Sequence, residues 1–295
     1  MNRIKDRTSR VFQIFCYAVT GLFSVFCLFP FLLVISASLT PESDISRYGY
    51  ALIPRNISFL SYELMFRAPR QILSAYKVTL LITVAGTAMG LILMSMGAYV
   101  INRKDFRYRN QVAFYIYFTT LFSGGLVPYY ILMVKYLHLK DSYLSMILPS
   151  MVSAWSIFLI RNFMKSIPDS LYESAKIDGA GDFRIYWQIV IPLSIPALAT
   201  IGLFQALGYW NEWYNAMLYI QNQEKYPLQY FMQNMLAASN ISNLISLGVQ
   251  VDISQIPTES MKMAMAVVVT GPVVLFYPFV QRYFVSGLTI GAVKG

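Results

Sequence analysis

Residues Val78–Asn102 read VTLLITVAGTAMGLILMSMGAYVIN, a run with no Asp, Glu, Lys or Arg. An α-helix rises about 1.5 Å per residue, so about 20 apolar residues cross the hydrocarbon of a bilayer, and this run is long enough. Five further uncharged runs match it in kind: Val11–Pro41, Asn110–Val134, Ser142–Ile160, Ile185–Asn211 and Met263–Gln281. The composition agrees, with 57% apolar and only 13% charged residues, against roughly a quarter charged in soluble domains. None of the runs shows the period-2 alternation of a membrane barrel, and in lipid only helices or closed barrels satisfy their own backbone. The expectation is an all-α polytopic membrane protein with six transmembrane helices.

A seventh uncharged run, Tyr226–Val251, carries Gln229, Gln233, Asn234, Asn240, Asn243 and Gln250. Each is costly in hydrocarbon, so the run reads as a surface segment. Basic residues then orient the chain. Arg3, Lys5, Arg7 and Arg10 precede the first run, Arg103, Lys104, Arg107 and Arg109 follow the second, Arg161, Lys165, Lys176 and Arg184 follow the fourth, and Arg282 and Lys294 follow the sixth. All fourteen of these, out of 23 Lys and Arg, fall on one side, which places both termini in the cytoplasm of a multi-pass cell-membrane protein. The net charge of +9 is explained by this topology rather than by nucleic acid. The basic start and long apolar run exceed the 7 to 15 residues of a signal-peptide core. Cys16 and Cys27 are eleven positions apart on one helix, about 16 Å, too far for a disulfide, and read as packing residues. His138 is the only histidine, and no cluster has the spacing of a metal site or of a nucleophile with its base.

No Lys in the chain follows a Gly, so the chain lacks a phosphate-binding loop, and if transport is driven by ATP the nucleotide and its Mg belong to another polypeptide. A docking surface is then needed, and one loop suits it: IPDSLYESAKIDGAGDFR, Ile167–Arg184. Pro168 suits a first helical turn, Asp169 and Glu173 favour the positive end of the helix dipole, and Gly179 can take the left-handed conformation that ends a helix. Asp182 can cap a second helix running through Ile185 and Trp187 to Ile191, where Pro192 interrupts the ladder. Leu171, Ser174, Ala175 and Asp178 share a narrow face on which small residues admit another backbone. A solvated connecting loop with ordinary caps would carry many of the same residues.

The spacing favours more than a loop. Glu173, Ser174, Ala175, three residues, Gly179, nine residues, then Ile189, Val190, Ile191 and Pro192 resembles the signature of binding-protein-dependent ABC importer permeases. Ser174 stands for the family's first Ala and Ile191 for its Leu. By its overall likeness and its ending the chain resembles the carbohydrate-uptake branch, a type I, maltose-type permease architecture. The resemblance implies a cytoplasmic N-terminus over residues 1–10, a six-helix permease domain over 11–282 with a coupling elbow at 167–192, and a cytoplasmic tail over 283–295. It implies that the elbow seats in an ATPase, with Glu173, Ser174, Ala175, Asp178, Gly179, Ala180 and Pro192 as its residues. The ending, Gly287, Leu288, Thr289, Gly291, Lys294 and Gly295 among its residues, resembles the maltose-type permease tail that reaches between two ATPases; glycine-rich ends also simply fray.

For the path of the solute, the fifth run ends in Tyr209, Trp210, Asn211, Glu212, Trp213 and Tyr214. Two readings stand. The aromatics form an interfacial belt with Glu212 reaching water, or Tyr209, Asn211 and Glu212 face a pathway in which aromatic faces stack on sugar rings. The polar stretch 221–258 is long for a structureless connection, and long loops are usually functional; by position the resemblance makes it a contact for an extracellular solute-binding protein. The loop Glu42–Arg70 is a second candidate. The expected partners are therefore a second permease in a heterodimer, two ATPase subunits, the binding protein, a sugar or oligosaccharide, and membrane lipid. The same role for an amino acid, phosphate or metal complex is one alternative. An ion-coupled secondary transporter is another, and it would need discontinuous helices and intramembrane ionisable residues.

Overall fold

In the computed structural model, residues 2–66, 69–239 and 259–274 are described, and among them regular structure is helical throughout, with no strand. In chain order the helices are α1 (Asn2–Ser38), α2 (Glu42–Tyr48), α3 (Leu60–Met65), α4 (Pro69–Asn102), α5 (Arg109–Leu121), α6 (Leu126–Ile131), α7 (Leu144–Met151), α8 (Ala154–Met164), α9 (Asp169–Ile177), α10 (Asp182–Ile185), α11 (Ile191–Leu193), α12 (Ile195–Trp210), α13 (Tyr214–Tyr219) and α14 (Leu228–Ser239), followed by a helix over residues 259–274. Two compact units emerge, residues 1–69 with 234–272 and residues 70–233 with 273–295.

Among the described residues, two helices are long and apolar enough to cross a membrane, Phe12–Ser38 within α1 and all of α4, and three bent pairs raise the count to as many as five of the six expected spans. The run Met263–Gln281 begins inside the helix over 259–274, and its remainder lies outside the described residues. Each bend has a local cause. Between α5 and α6 the chain turns 114° at Gly124 and Gly125, and Gly125 sits at φ +84°, where a side chain is disfavoured. Between α7 and α8 it turns 50°, with Val152 and Ser153 extended and Pro149 removing a donor just before them. The third bend, 79°, falls at Ser194, and there the expectation for Pro192 is corrected. Tyr186–Val190 widens into a π turn, in which Ile191 N–H donates to the carbonyl five residues back, on Tyr186. The wider turn makes room for the Pro192 ring, so the chain passes it inside α11 and breaks at Ser194, before Pro196 opens α12.

In the second unit a core of Met94, Ala98 and Ile101 from α4, Ile157, Ile160 and Met164 from α8, Ile185, Val190 and Ile201 holds the helices together. A smaller cluster joins Val78 and Ile82 of α4 to Met146 and Ile147 of α7 and Ala216 of α13. Residues 221–239, expected to be structureless, fold: a short turn at Gln223–Lys225 precedes α14. Leu228, Phe231 and Met232 recur at helical spacing and are buried, and Leu228 N–H donates to Thr79 Oγ1 at 2.8 Å. That apolar face outweighs the scattered amides. Residues 240–258 lie outside the described ones. In the first unit, α1 is exposed at all but Cys16 from Phe12 to Leu32, as a lipid-facing helix is, and is buried at its end, at Ser36, Ala37 and Ser38. The Glu42 carboxylate accepts the Glu259 and Ser260 N–H groups at 3.0 and 3.1 Å, satisfying donors at the start of the last described helix.

Candidate functional site

The elbow forms as two helices about a glycine, with three local corrections. Pro168 is the extended residue before α9 and not part of its first turn, and Asp169 opens the helix. Asp182 is the first residue of α10, after Gly181, and does not cap it, because its carboxylate is drawn to Arg103 at 3.0 Å. The stripe of small residues splits: Ala175 is 8% exposed, in the chain's own core, while Leu171, Ser174 and Asp178 are exposed.

Gly179 sits at φ +77° with open space where a Cβ would lie, so its requirement is conformational. Its N–H donates to Lys176 C=O at 3.0 Å, and Ala180 N–H donates to Ala175 C=O at 2.9 Å. This is the paired closure of a helix end through a left-handed residue, with the apolar contact that accompanies it: Ala180 packs on the cluster containing Ala175. The inner face of the elbow is thus locked to the bundle by Ala175, Ile185 and Tyr186. The outer face is only partly free, because Asp169 and Lys176 on either side of Glu173 pair with Lys104 and Asp105. Ile177 is 86% exposed, and Glu173 is exposed and makes no side-chain hydrogen bond or ion pair among the described residues.

Charge is concentrated beside it. Asp105 takes the Arg103 guanidinium in a two-pronged contact, one prong Nε to Oδ1 at 2.8 Å, and also Lys176 Nζ at 2.8 Å. The Arg103 hydrogen bond, then that of Lys176, holds the Asp105 carboxyl well below the usual carboxylate range. Conversely, Asp105 pushes the Arg103 guanidinium further up. A depressed carboxyl stabilises the fold above its ordinary pKa and loses that contribution only as pH falls through the depressed value. The cluster therefore stays charged at any cellular pH. Arg103 also donates to Tyr99 Oη at 3.2 Å, and Lys104 pairs with Asp169. Reading the sequence found Arg103 and Lys104 only as topology charges and missed Asp105. An alternating Arg-Lys-Asp at a helix end was the available signal, but nothing local says which elbow residues it meets.

The three pathway candidates separate. Tyr209 is buried, and its hydroxyl donates to Ile147 C=O at 2.7 Å. Glu212 is 7% exposed and accepts Asn215 N–H at 2.7 Å and Asn215 Nδ2 at 2.9 Å, an N-terminal cap for α13. Asn211 is exposed and donates to Leu207 C=O at 2.9 Å. A residue not anticipated is Gln205, whose Nε2 donates to the carbonyls of Ser150 and Met151, released where α7 breaks. Elsewhere, Asp141 accepts the Gln221 and Asn222 N–H groups at 2.6 and 2.9 Å, and these bonds lower its pKa. The tail residues Gly287, Leu288, Thr289, Gly291, Lys294 and Gly295 lie outside the described ones. No group of three or more His, Cys, Asp and Glu able to hold a metal occurs among the described residues.

Comparison with known proteins bears on this arrangement. A family model described as the inner membrane component of binding-protein-dependent transport systems matches residues 1–290. The polygalacturonan/rhamnogalacturonan transport system permease protein YtcP of Bacillus subtilis (strain 168) is 39% identical over 293 residues, covering 97% of this chain and 99% of that one. The arabinooligosaccharides transport system permease protein AraQ of the same organism is 30% identical, covering 98% and 99%. Among solved structures, a bacterial ABC transporter involved in the import of the acidic polysaccharide alginate has a chain similar at a TM-score of 0.79 and 31% identity, covering 94% of this chain and 98% of that one. The match from end to end to one family, at this identity to full-length relatives, places the chain among the inner-membrane components of binding-protein-dependent transport systems.

Proposed function

We propose that this chain is one permease half of an ATP-driven importer that carries an oligosaccharide across the cell membrane. The cargoes named for YtcP, AraQ and the alginate importer are polymers or oligomers of sugars and sugar acids, against sn-glycerol-3-phosphate for relatives at 29% identity, which supports a carbohydrate in preference to an amino acid, phosphate or metal complex. The observation that carries the reading is the two-faced elbow: one face is locked into the bundle by Ala175 and Ile185, the other presents the unpaired Glu173 and the bare Ile177.

In this reading six spans place both termini in the cytoplasm, and the elbow seats on an ATPase subunit that holds ATP and Mg. Closure of two ATPases moves this elbow and that of a second, different permease, and the pathway turns from inward to outward facing. The tail from Gly287 to Gly295 reaches the ATPases, and the segment 221–258 meets the extracellular solute-binding protein. Of the three pathway candidates, Asn211 is the one with an exposed side chain for a passing sugar. An ion-coupled mechanism has the broken helices it requires, but the breaks at Gly124–Gly125, Val152–Ser153 and Ser194 carry no ionisable side chain, and such a mechanism needs them.

Purification in mild detergent should bring down an ATPase with the chain. Glu173→Ala should then lower the oligosaccharide imported per ATP hydrolysed in proteoliposomes, tested with galacturonan and arabinan oligomers. Uptake and hydrolysis that both stay at the unsubstituted level would remove the elbow from the mechanism.

A further inference from the structure

The loop after α4 grips the elbow at three places. Arg103 reaches Asp182 in the first turn of α10 at 3.0 Å, Lys104 reaches Asp169 in the first turn of α9, and Asp105 takes Lys176 in the last turn of α9 at 2.8 Å. The grips fall on both elbow helices and at both ends of α9, so the elbow cannot tilt against α4 without breaking one. Single exposed ion pairs stabilise little, but this set is anchored by a covered centre. The Arg103 side chain is 11% exposed, with its guanidinium carbon 5.7 Å from the Tyr99 ring centre and 6.0 Å from that of Tyr172. Beneath it, Ala98 and Ile101 of α4 share a core with Ala175 and Ile185 of the elbow.

The spans that flank the elbow in the chain are both interrupted. The α7–α8 pair bends by 50° and the α10–α12 segment by 79°, and a break in the hydrogen-bond ladder is where a helix absorbs displacement. α4 has no such break over its 34 residues, about 50 Å of continuous helix. It also meets both broken spans beyond their breaks as seen from the elbow. A Cβ on Gly86 would fall on the ring of Tyr209 in α12, and one on Gly90 would meet the Met151 carbonyl at the end of α7.

We propose that Arg103, Lys104 and Asp105 form a strut that makes α4 and the elbow one rigid body, so that α4, and not the spans joined covalently to the elbow, carries the elbow's movement past both bends. These three are positioning residues. The proposal rests on the importer reading above and adds the route by which the ATPase stroke is delivered.

The test uses the assembled transporter with its ATPases, with Cys16 and Cys27 replaced by Ser. Spin labels are placed on Ser170→Cys in the elbow and Gln71→Cys at the far end of α4, or on Ser170→Cys and Gly208→Cys near the end of α12. The expected result is that a non-hydrolysable ATP analogue shifts the 170–208 distance and leaves the 170–71 distance unchanged. In Arg103→Gln the 170–71 distribution should broaden and become nucleotide-dependent, with Arg103→Lys in between, and uptake per ATP should fall about five-fold or more. A 170–71 distance that moves with nucleotide in the unsubstituted chain, or that ignores Arg103→Gln, overturns the strut while the importer reading stands. Loss of the ATPase from the Arg103→Gln complex makes the loop a docking element and overturns it too. A 170–208 distance that also stays fixed means that the bends absorb nothing and overturns the strut, whereas failure of any ATPase to co-purify with the unsubstituted chain fells the importer reading, and the strut with it.

Discussion

Gly86 and Tyr209 decide how closely α4 and α12 approach. The glycine leaves the space that the tyrosine ring fills, and the ring's hydroxyl supplies a donor to Ile147 C=O at 2.7 Å inside a helix bundle where water is scarce. A methyl at position 86 would collide with the ring atoms and not with a flexible chain end, so Gly86→Ala should destabilise by about 1 to 3 kcal/mol, the usual cost of overpacking. Thermal unfolding of the detergent-solubilised chain should show the loss, and Tyr209→Leu should restore part of it by vacating the space. Tyr209→Phe should cost only about 1 kcal/mol, the worth of one hydrogen bond. An unshifted transition in Gly86→Ala would mean the two helices stand further apart than described.

At the scale of elements, the elbow is defined by its sharp end. The left-handed Gly179 reverses the chain within two residues and lets Ala180 return to the surface that Ala175 occupies. Since nothing crowds position 179, substitutions there should rank by backbone preference alone. Asn should be tolerated best, Ala should cost about 1 kcal/mol and Val more. Uptake per ATP across Gly179→Asn, Gly179→Ala and Gly179→Val should fall in that order. A ranking by side-chain size on the docking face, with Asn as damaging as Val, would mean that contact and not the turn limits the site. The bent spans follow a similar rule. Where α7 breaks, Gln205 gives its amide to the released carbonyls, so a polar residue in a membrane segment is spent on the backbone and not on a solute.

For the whole molecule, topology is the property that every functional statement needs. With native cysteines replaced, a membrane-impermeant maleimide should label Gln223→Cys in intact cells and Ser166→Cys only after permeabilisation. Labelling of Ser166→Cys from outside would put the elbow on the wrong side of the membrane to meet an ATPase.

The residues by themselves determined that the chain crosses a membrane as helices, because uncharged runs longer than a bilayer is thick leave no other solution. They also determined that a helix ends at Gly179 and another begins just after it, since the left-handed turn is local chemistry readable in order along the chain. Tertiary structure alone decided the rest. At the Val152–Ser153 bend the freed carbonyl of Ser150 is taken by Gln205, 55 positions away, and no signal at the bend names that partner, whereas the π turn that admits the Pro192 ring lies beside it in sequence. Tyr209 became a packing residue for the same reason: the carbonyl its hydroxyl meets, on Ile147, belongs to a helix folded against it, whereas Glu212 bonds Asn215 three positions on, a contact legible along the chain. The strut is the clearest instance. Arg103 and Asp182 are 79 positions apart, and charges read along the chain reveal which side of the membrane they occupy but not which opposite charge the fold brings within 3.0 Å.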